Sequence, residues 1–379
     1  MILQNLKSVN FIINSLSFSN RNWLISGLMW LLFIFPVQAV ELRVAIKKEV
    51  SNIKVGSSTT AIIKDAAGKQ LGQLTPMSAM AAKLNGNRIS INERVGAGEL
   101  IIEPQDNGYV WIGDRWYRGT THLIRRNNNI TAINHVDLEE YLYSVVGAEA
   151  VSSWPIEALK AQAVAARSYA LYKRSTESNS LYDVDTTIGT QVYKGLDSEY
   201  TTTHEAVNST LGQIMTYNNQ VILAAFHSSS GGHTENVEDV WTSPLPYLRA
   251  VVDYDHESPV FEWQQVIPVS KIRSLVAGIG NVKGLQPAEM TPRGRVITMK
   301  VTGDRGTTTV SGKKLRKVLE LRSTLFRVST DGENLHIKGR GFGHGLGLSQ
   351  WGAYYLAKQG VNYHQILAHY YQSASLAKL

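Results

Sequence analysis

One carboxylate in this 379-residue chain is set apart by its neighbours. Glu149 lies in Val145-Val146-Gly147-Ala148-Glu149-Ala150-Val151 and is the only charged residue between Glu140 and Glu157. Apolar surroundings desolvate a carboxyl, and desolvation raises its pKa. A glutamic acid kept protonated near neutral pH can pass its proton to a leaving oxygen. An ordinary Glu on an exposed turn fits the same seven residues, so the segment alone leaves both readings open.

Other polar residues could share a site with it. Gln162 and Arg167 are five residues apart on one helical stretch, so they point about 140° apart and one of them can face a ligand. The densest polar cluster is Phe226-His227-Ser228-Ser229-Ser230-Gly231-Gly232-His233-Thr234-Glu235-Asn236. Ser229 or Ser230 beside a histidine would make a nucleophile pair, although the G-x-S-x-G elbow is absent. His227 and His233 with Glu235 or Asp239 would make a metal site, although no H-E-x-x-H occurs in the chain. A third reading is a loop whose free backbone N–H groups bind sugar hydroxyls and carboxylates, and a fourth is a hydrogen-bonded loop without a ligand. In Gly339-Arg340-Gly341-Phe342-Gly343-His344-Gly345-Leu346-Gly347 the glycines alternate and never match the dinucleotide pattern G-x-G-x-x-G. Close backbone approach is the better explanation, with His344 either facing a cleft or packed in the loop. Trp351, Tyr354, Tyr355, Tyr370 and Tyr371 read mostly as helix packing, with a sugar platform as the alternative.

The elements that must position these groups are legible from periodicity. Residues 41–136 alternate and break at Gly and Asn/Asp, which predicts a small antiparallel region. Asp137 with Glu140 forms a capping pair before Tyr141-Leu142-Tyr143, and Pro155 with Glu157 opens a second helix. On that helix Ile156, Leu159, Ala163, Ala166 and Ala170 repeat at three and four residues and should face the core. Later text predicts strands at 213–215, 221–223 and 295–301, and helices at 270–276, 311–319, 349–358 and 363–371.

Residues 1–39 read as a secretory leader. Lys7 and Arg21 are its only charges, Trp23–Phe35 is apolar, and Val37-Gln38-Ala39 is a small-residue cleavage pattern that starts the mature chain near Val40. An uncleaved anchor is the alternative, and the apolar run is short of the ~20 residues a spanning helix needs. Losing that leader takes Lys7 and Arg21 from a net charge of +7 and leaves +5. A modest positive excess suits an anionic envelope polymer, and no Lys/Arg stripe with interleaved aromatics points to nucleic acid. The chain has no cysteine, which excludes disulfides, thiolate metal sites and cysteine nucleophiles.

Together the blocks resemble a known family. Tyr141–Glu149, Trp154–Ala170, Gln191-Val192-Tyr193-x-Gly195, Ser228–Asn236 with Val240-Trp241, and Gly339–Ala353 follow the order found in the stage II sporulation protein D family, which includes the amidase enhancers. The resemblance implies an exported protein of the periplasm or cell wall, and a lytic transglycosylase acting on peptidoglycan glycan strands. Glu149 is then the catalytic acid, the substrate's own 6-hydroxyl the nucleophile, and no cofactor is needed. Gln162, Arg167, Tyr193, Ser229, Ser230, His233 and His344 would bind substrate, with Arg167 on the muramyl carboxylate. Some members hold zinc through a cysteine placed where this chain has Thr190, so no metal site is carried over. A non-catalytic, wall-binding enhancer of an amidase is the alternative. The expected fold is α+β, a mixed antiparallel sheet core with helices around a substrate groove and a smaller inserted subdomain. The expected boundaries are a leader at 1–39, a β-rich region at 40–136, a catalytic core at 137–258, an inserted α/β subdomain at 259–335 and the remainder of the core at 336–379.

Overall fold

A computed structural model describes residues 40–379 apart from 93–94, 177–180, 188–189 and 242. The expected leader lies outside the described residues. The fold is α+β. Its largest described sheet has seven strands, in the order Val184–Asp185, Glu41–Val50, Asn129–Asp137, Thr120–Arg126, Glu99–Pro104, Ala61–Asp65 and Gln70–Leu74. The pairing of Glu41–Val50 with Val184–Asp185 is parallel and the other pairs are antiparallel. A six-stranded sheet containing Asn52–Ser57, Met80–Asn85 and Val110–Ile112 contributes to the same hydrophobic cluster.

The chain turns from sheet to helix at Asp137. Helix α1 (Leu138–Glu149) starts there, with the Asp137 carboxylate accepting the N–H groups of Glu139 at 2.8 Å and Glu140 at 3.3 Å. This satisfies donors that a helix start leaves unpaired. The reciprocal half of the expected capping pair does not form, because the Glu140 carboxylate lies 3.7 Å from Arg118 instead.

Helix α2 (Ile156–Thr176) follows Pro155. Leu159, Ala163, Ala166 and Ala170 pack into the first cluster, as their spacing predicts. Ala158, Ala161, Val164 and Ala165 pack into a second cluster on the other side. Small side chains let both cores approach the helix closely, so α2 has two apolar faces where the sequence suggested one. The second cluster is completed by α4 (Gln350–Lys358) and α5 (Tyr363–Tyr370), with α3 (Thr201–Ser209) packing beside α1 and α2. Residues 263–337 supply a third cluster built from Glu262–Pro268, Val282–Met290, Val296–Gly303, Phe326–Thr330, Asn334–Arg340 and a short helix, Gly312–Val318. Among the described residues no helix is long and apolar enough to cross a membrane.

Gly147 shows how tightly α1 is seated. A Cβ there would lie 2.1 Å from the Ser198 carbonyl oxygen and 2.9 Å from the Tyr200 ring. Replacing an exposed helical glycine by alanine stabilises by about 1 kcal/mol. Here Gly147→Ala should instead destabilise by about 1–3 kcal/mol through overpacking. Urea denaturation checks the sign, and a more stable variant would contradict the packing described.

Candidate active site

Glu149 is the last residue of α1 and is half-buried. Its Oε1 accepts the Val192 N–H at 2.7 Å. The Gln350 side-chain amide lies near the same carboxyl and favours its ionised form, and the exposed Lys194 adds positive charge. Burial lifts the Glu149 pKa above the ordinary glutamate range, and the Val192 N–H, Gln350 and Lys194 partly oppose it. The helix end acts in the same direction as burial, since carbonyl dipoles disfavour an anion there and α1 has no basic residue in its last turn.

Gln350 is delivered by the glycine run. Ser349 caps α4 by accepting the Gly352 N–H at 3.3 Å, which places Gln350 first in the helix. Leu348–Ser349 pairs in parallel with Phe226–His227, and Trp351 N–H donates to the Ser228 carbonyl at 3.0 Å. Gly345 and Gly347 have positive φ, and a Cβ on them would lie 2.2 Å from Arg295 Nη2 and 2.1 Å from the Ala225 carbonyl oxygen. Backbone crowding therefore accounts for the alternating glycines. The Nε2 of the same Gln350 amide donates to Gln162 Oε1 at 3.4 Å. Trp154, Trp351 and Tyr354 form a half-buried aromatic trio, with ring centroids 5.0–5.3 Å apart, flanking the segments that carry Glu149 and Gln350.

The other expected site residues are placed differently. Gln162 is buried behind Gln350 with its Nε2 unpartnered, so it supports the site from within. Arg167 is fully buried. Its Nε and Nη2 clamp Glu139 at 2.8 and 2.6 Å, and it also donates to the carbonyls of Gln213 at 3.0 Å and Val207 at 3.4 Å. The expected contact with a ligand carboxylate gives way to a buried ion pair. Tyr193 is buried with its hydroxyl donating to Asn134 at 2.9 Å, and only its neighbour Val192 touches Glu149.

The serine–glycine loop is mostly internal scaffolding. Ser229 donates to Asp255 and Ser230 to Asp253, while the Gly231 and Gly232 N–H groups also close on Asp255. Both hydroxyls are buried on aspartates, which removes the serine–histidine pair. His344 accepts the Leu346 N–H at 3.0 Å and packs against His227 and Trp241; burial, with Arg295 and Arg316 nearby, pushes its pKa down to about 3. It is a neutral, half-buried histidine packed against these rings. His233 is exposed and lines a cleft whose lining does not include Glu149. Among the described residues no three His, Asp or Glu side chains are grouped to hold a metal ion. Thr190 spends its hydroxyl on Asp185 at 2.7 Å.

Sequence reasoning missed Gln350, Lys194 and Trp154. Gln350 had a usable signal, since it stands at the first helical position after a Ser cap and a glycine run built for close approach.

Residues 126–217 match the family described as Stage II sporulation protein, and residues 247–347 match a domain of unknown function, DUF8618. Stage II sporulation protein D of Bacillus subtilis (strain 168) is 36% identical over 274 residues, spanning 65% of this chain and 76% of that protein. An uncharacterized protein of Brachyspira hyodysenteriae is 30% identical over 285 residues, 73% of this chain and 76% of its own. A Bacillus subtilis protein named amidase enhancer is 29% identical over 355 residues, 78% of this chain and 49% of its own length.

The Arg167 pair yields a direct expectation. Arg167→Met strands the Glu139 carboxylate against the helices, and breaking such a pair costs about 3–5 kcal/mol. Equilibrium denaturation should show that loss, and a change within about 0.5 kcal/mol, as at an ordinary surface site, would contradict the buried role.

Proposed function

Because the chain belongs to the stage II sporulation protein D family, a cell-wall-related family, we propose that it is an exported peptidoglycan lytic transglycosylase with Glu149 as general acid and base. The observation that carries this reading is the Glu149 carboxyl itself, lifted by burial yet reached by three groups that favour its ionised form. Such a carboxyl is poised to give up a proton and to take one back. A two-carboxylate glycosidase places its second acid about 5–9.5 Å away. The proposed reaction needs one carboxyl only, because the substrate's own 6-hydroxyl is the nucleophile.

In the proposed reaction, protonated Glu149 donates to the oxygen linking N-acetylmuramic acid to N-acetylglucosamine as the bond from that oxygen to C1 breaks. The resulting carboxylate takes the proton of the muramyl 6-hydroxyl as its oxygen bonds to C1. A 1,6-anhydro ring closes, and Glu149 ends the cycle protonated without consuming water. The Trp154, Trp351 and Tyr354 trio offers aromatic faces for the apolar faces of sugar rings. Gln350 orients the carboxyl and is itself backed by Gln162.

A second reading draws on the likeness, over 78% of the chain, to a protein named amidase enhancer. In that case the groove binds glycan without cutting it and raises the turnover of a partner amidase.

Digestion of purified glycan strands separates the two. Wild type should release anhydromuramyl ends detectable by mass spectrometry, and Glu149→Gln should slow release by about 10²–10⁴-fold. Equal release would remove Glu149 from the chemistry. No release by wild type, with amidase stimulation that survives Glu149→Gln, would establish the second reading. A pH–rate profile adds a signed expectation, because the acid must be protonated and activity falls as pH rises through its raised pKa. Gln350→Leu removes a group that pulls this pKa down. The alkaline limb should therefore move to higher pH, and a limb that moves down or stays would contradict the role given to Gln350.

A further inference from the structure

We propose that a second, cationic cleft binds the carboxylates of the same wall polymer, an inference that rests on the chain acting on peptidoglycan. The cleft has a volume of about 1190 Å³ and is lined by the strands Glu262–Pro268 and Asn334–Arg340, the start of Phe326–Thr330, the turn at 292–294, and Gly231 and His233. Arg293, Arg327, Lys338 and Arg340 all line it and all are exposed. Arg327 stands directly opposite Lys338 in the antiparallel register, and Arg340, two residues on, shares the Lys338 face. Like charges directly opposite each other on a sheet are destabilising. Among the described residues Arg293, Arg327 and Lys338 have no ion-pair partner. Glu262 is the one carboxylate in the lining and lies 3.3 Å from Arg340. The folded protein thus concentrates positive charge that its own packing does not require.

The chemistry of the lining favours carboxylates on a polymer over a small free anion. Guanidinium groups match carboxylate geometry and strengthen their hydrogen bonds through charge. Trp263 also lines the cleft, nearly buried on the core-facing side of the strand pair, opposite to the side that presents Lys338 and Arg340, with its indole N–H donating to the Gly341 carbonyl at 2.9 Å. Two of the chain segments that line this cleft continue into the Glu149 site. Gly231 and His233 follow Ser228, which holds Trp351, and Gly339-Arg340 lead through the glycine run to Gln350. A ligand that engages both places is a chain with anionic groups along it. In peptidoglycan those groups are the lactyl carboxylate of peptide-free muramic acid or the carboxylates of stem peptides. With Arg167 buried, this cleft supplies the carboxylate recognition that the sequence assigned to that residue.

Calorimetric titration with defined probes at low ionic strength tests the assignment, because exposed charge interactions are strongest there. The probes are peptide-free glycan strands, peptide-bearing strands, N-acetylglucosamine oligomers that lack carboxylates, and a phosphodiester wall polymer. The double variant Arg327→Glu/Lys338→Glu should bind at least one carboxylate-bearing glycan roughly tenfold more weakly than wild type, with the neutral oligomer unaffected. The glycan that loses affinity identifies the source, lactyl or stem-peptide. Arg305→Glu changes charge at an exposed residue outside the cleft lining and should leave binding unchanged. Equal weakening by Arg305→Glu, equal loss with the neutral oligomer, or charge-dependent binding of the phosphodiester polymer alone would each overturn the proposal. Product analysis on the same samples keeps the two claims apart. Charge-sensitive glycan binding without anhydromuramyl product would sink the proposed chemistry and leave the cleft standing, and product with charge-insensitive binding would do the reverse.

Discussion

The guanidinium of Arg167 carries a charge into the interior of the molecule, and the surrounding chain must neutralise it. Glu139 at the start of α1 supplies the counter-charge, and the carbonyls of Val207 and Gln213 take further donors. One side chain on α2 therefore fixes α1, the end of α3 and the following strand relative to each other. A buried pair of this kind contributes little net stability but is costly to break, so its effect is to specify one arrangement. The direction of α1 follows from it, and with that direction the position of Glu149 at the opposite end of the same helix.

A second polar knot sets the other half of the site. Asp253 and Asp255 are buried and are bonded by Ser229, Ser230, Tyr370 and two glycine N–H groups. Nearby, the buried Arg295 donates to the Ser230 carbonyl at 2.9 Å and lies 3.5 Å from Glu235. Backbone bonds between Ser229 and Phe342, and from the Glu235 N–H to the Gly345 carbonyl, then tie this loop to the glycine run that leads into α4. What looks in the sequence like a ligand-binding loop is the internal frame that carries Gln350 to Glu149. A carboxyl at the end of one helix and an amide at the start of another are thus brought together by two separate buried networks.

How far the sequence could be read depended on whether local or tertiary physics decides each feature. Asp137 as a helix start, Pro155 before a long helix, the helices that begin near Ser311 and Ser349, and the apolar setting of Glu149 are local effects, and each appears where its spacing puts it. Arg167 was misread because a helix packed on both sides has no free face, and periodicity on α2 showed only the stripe that enters the first core. Ser229, Ser230 and Tyr193 were misread for a related reason. A polar side chain looks available for a ligand until the partner that consumes it is known, and Asp255, Asp253 and Asn134 lie 26, 23 and 59 residues away in sequence. Gln350 was quoted within its block but given no role, since an amide acquires meaning only from the carboxyl it faces.

The central claim is that burial at the end of α1 holds the Glu149 carboxyl above the ordinary glutamate range while Gln350 draws it part of the way back. Direct titration of that carboxyl tests it, by carbon NMR of labelled glutamate with Glu149→Gln to assign the resonance. In wild type the assigned resonance should titrate above the reference value of about 4.3, and in Gln350→Leu higher still. A Glu149 that titrates at or below the reference value, or that is unmoved by the loss of Gln350, would contradict the account.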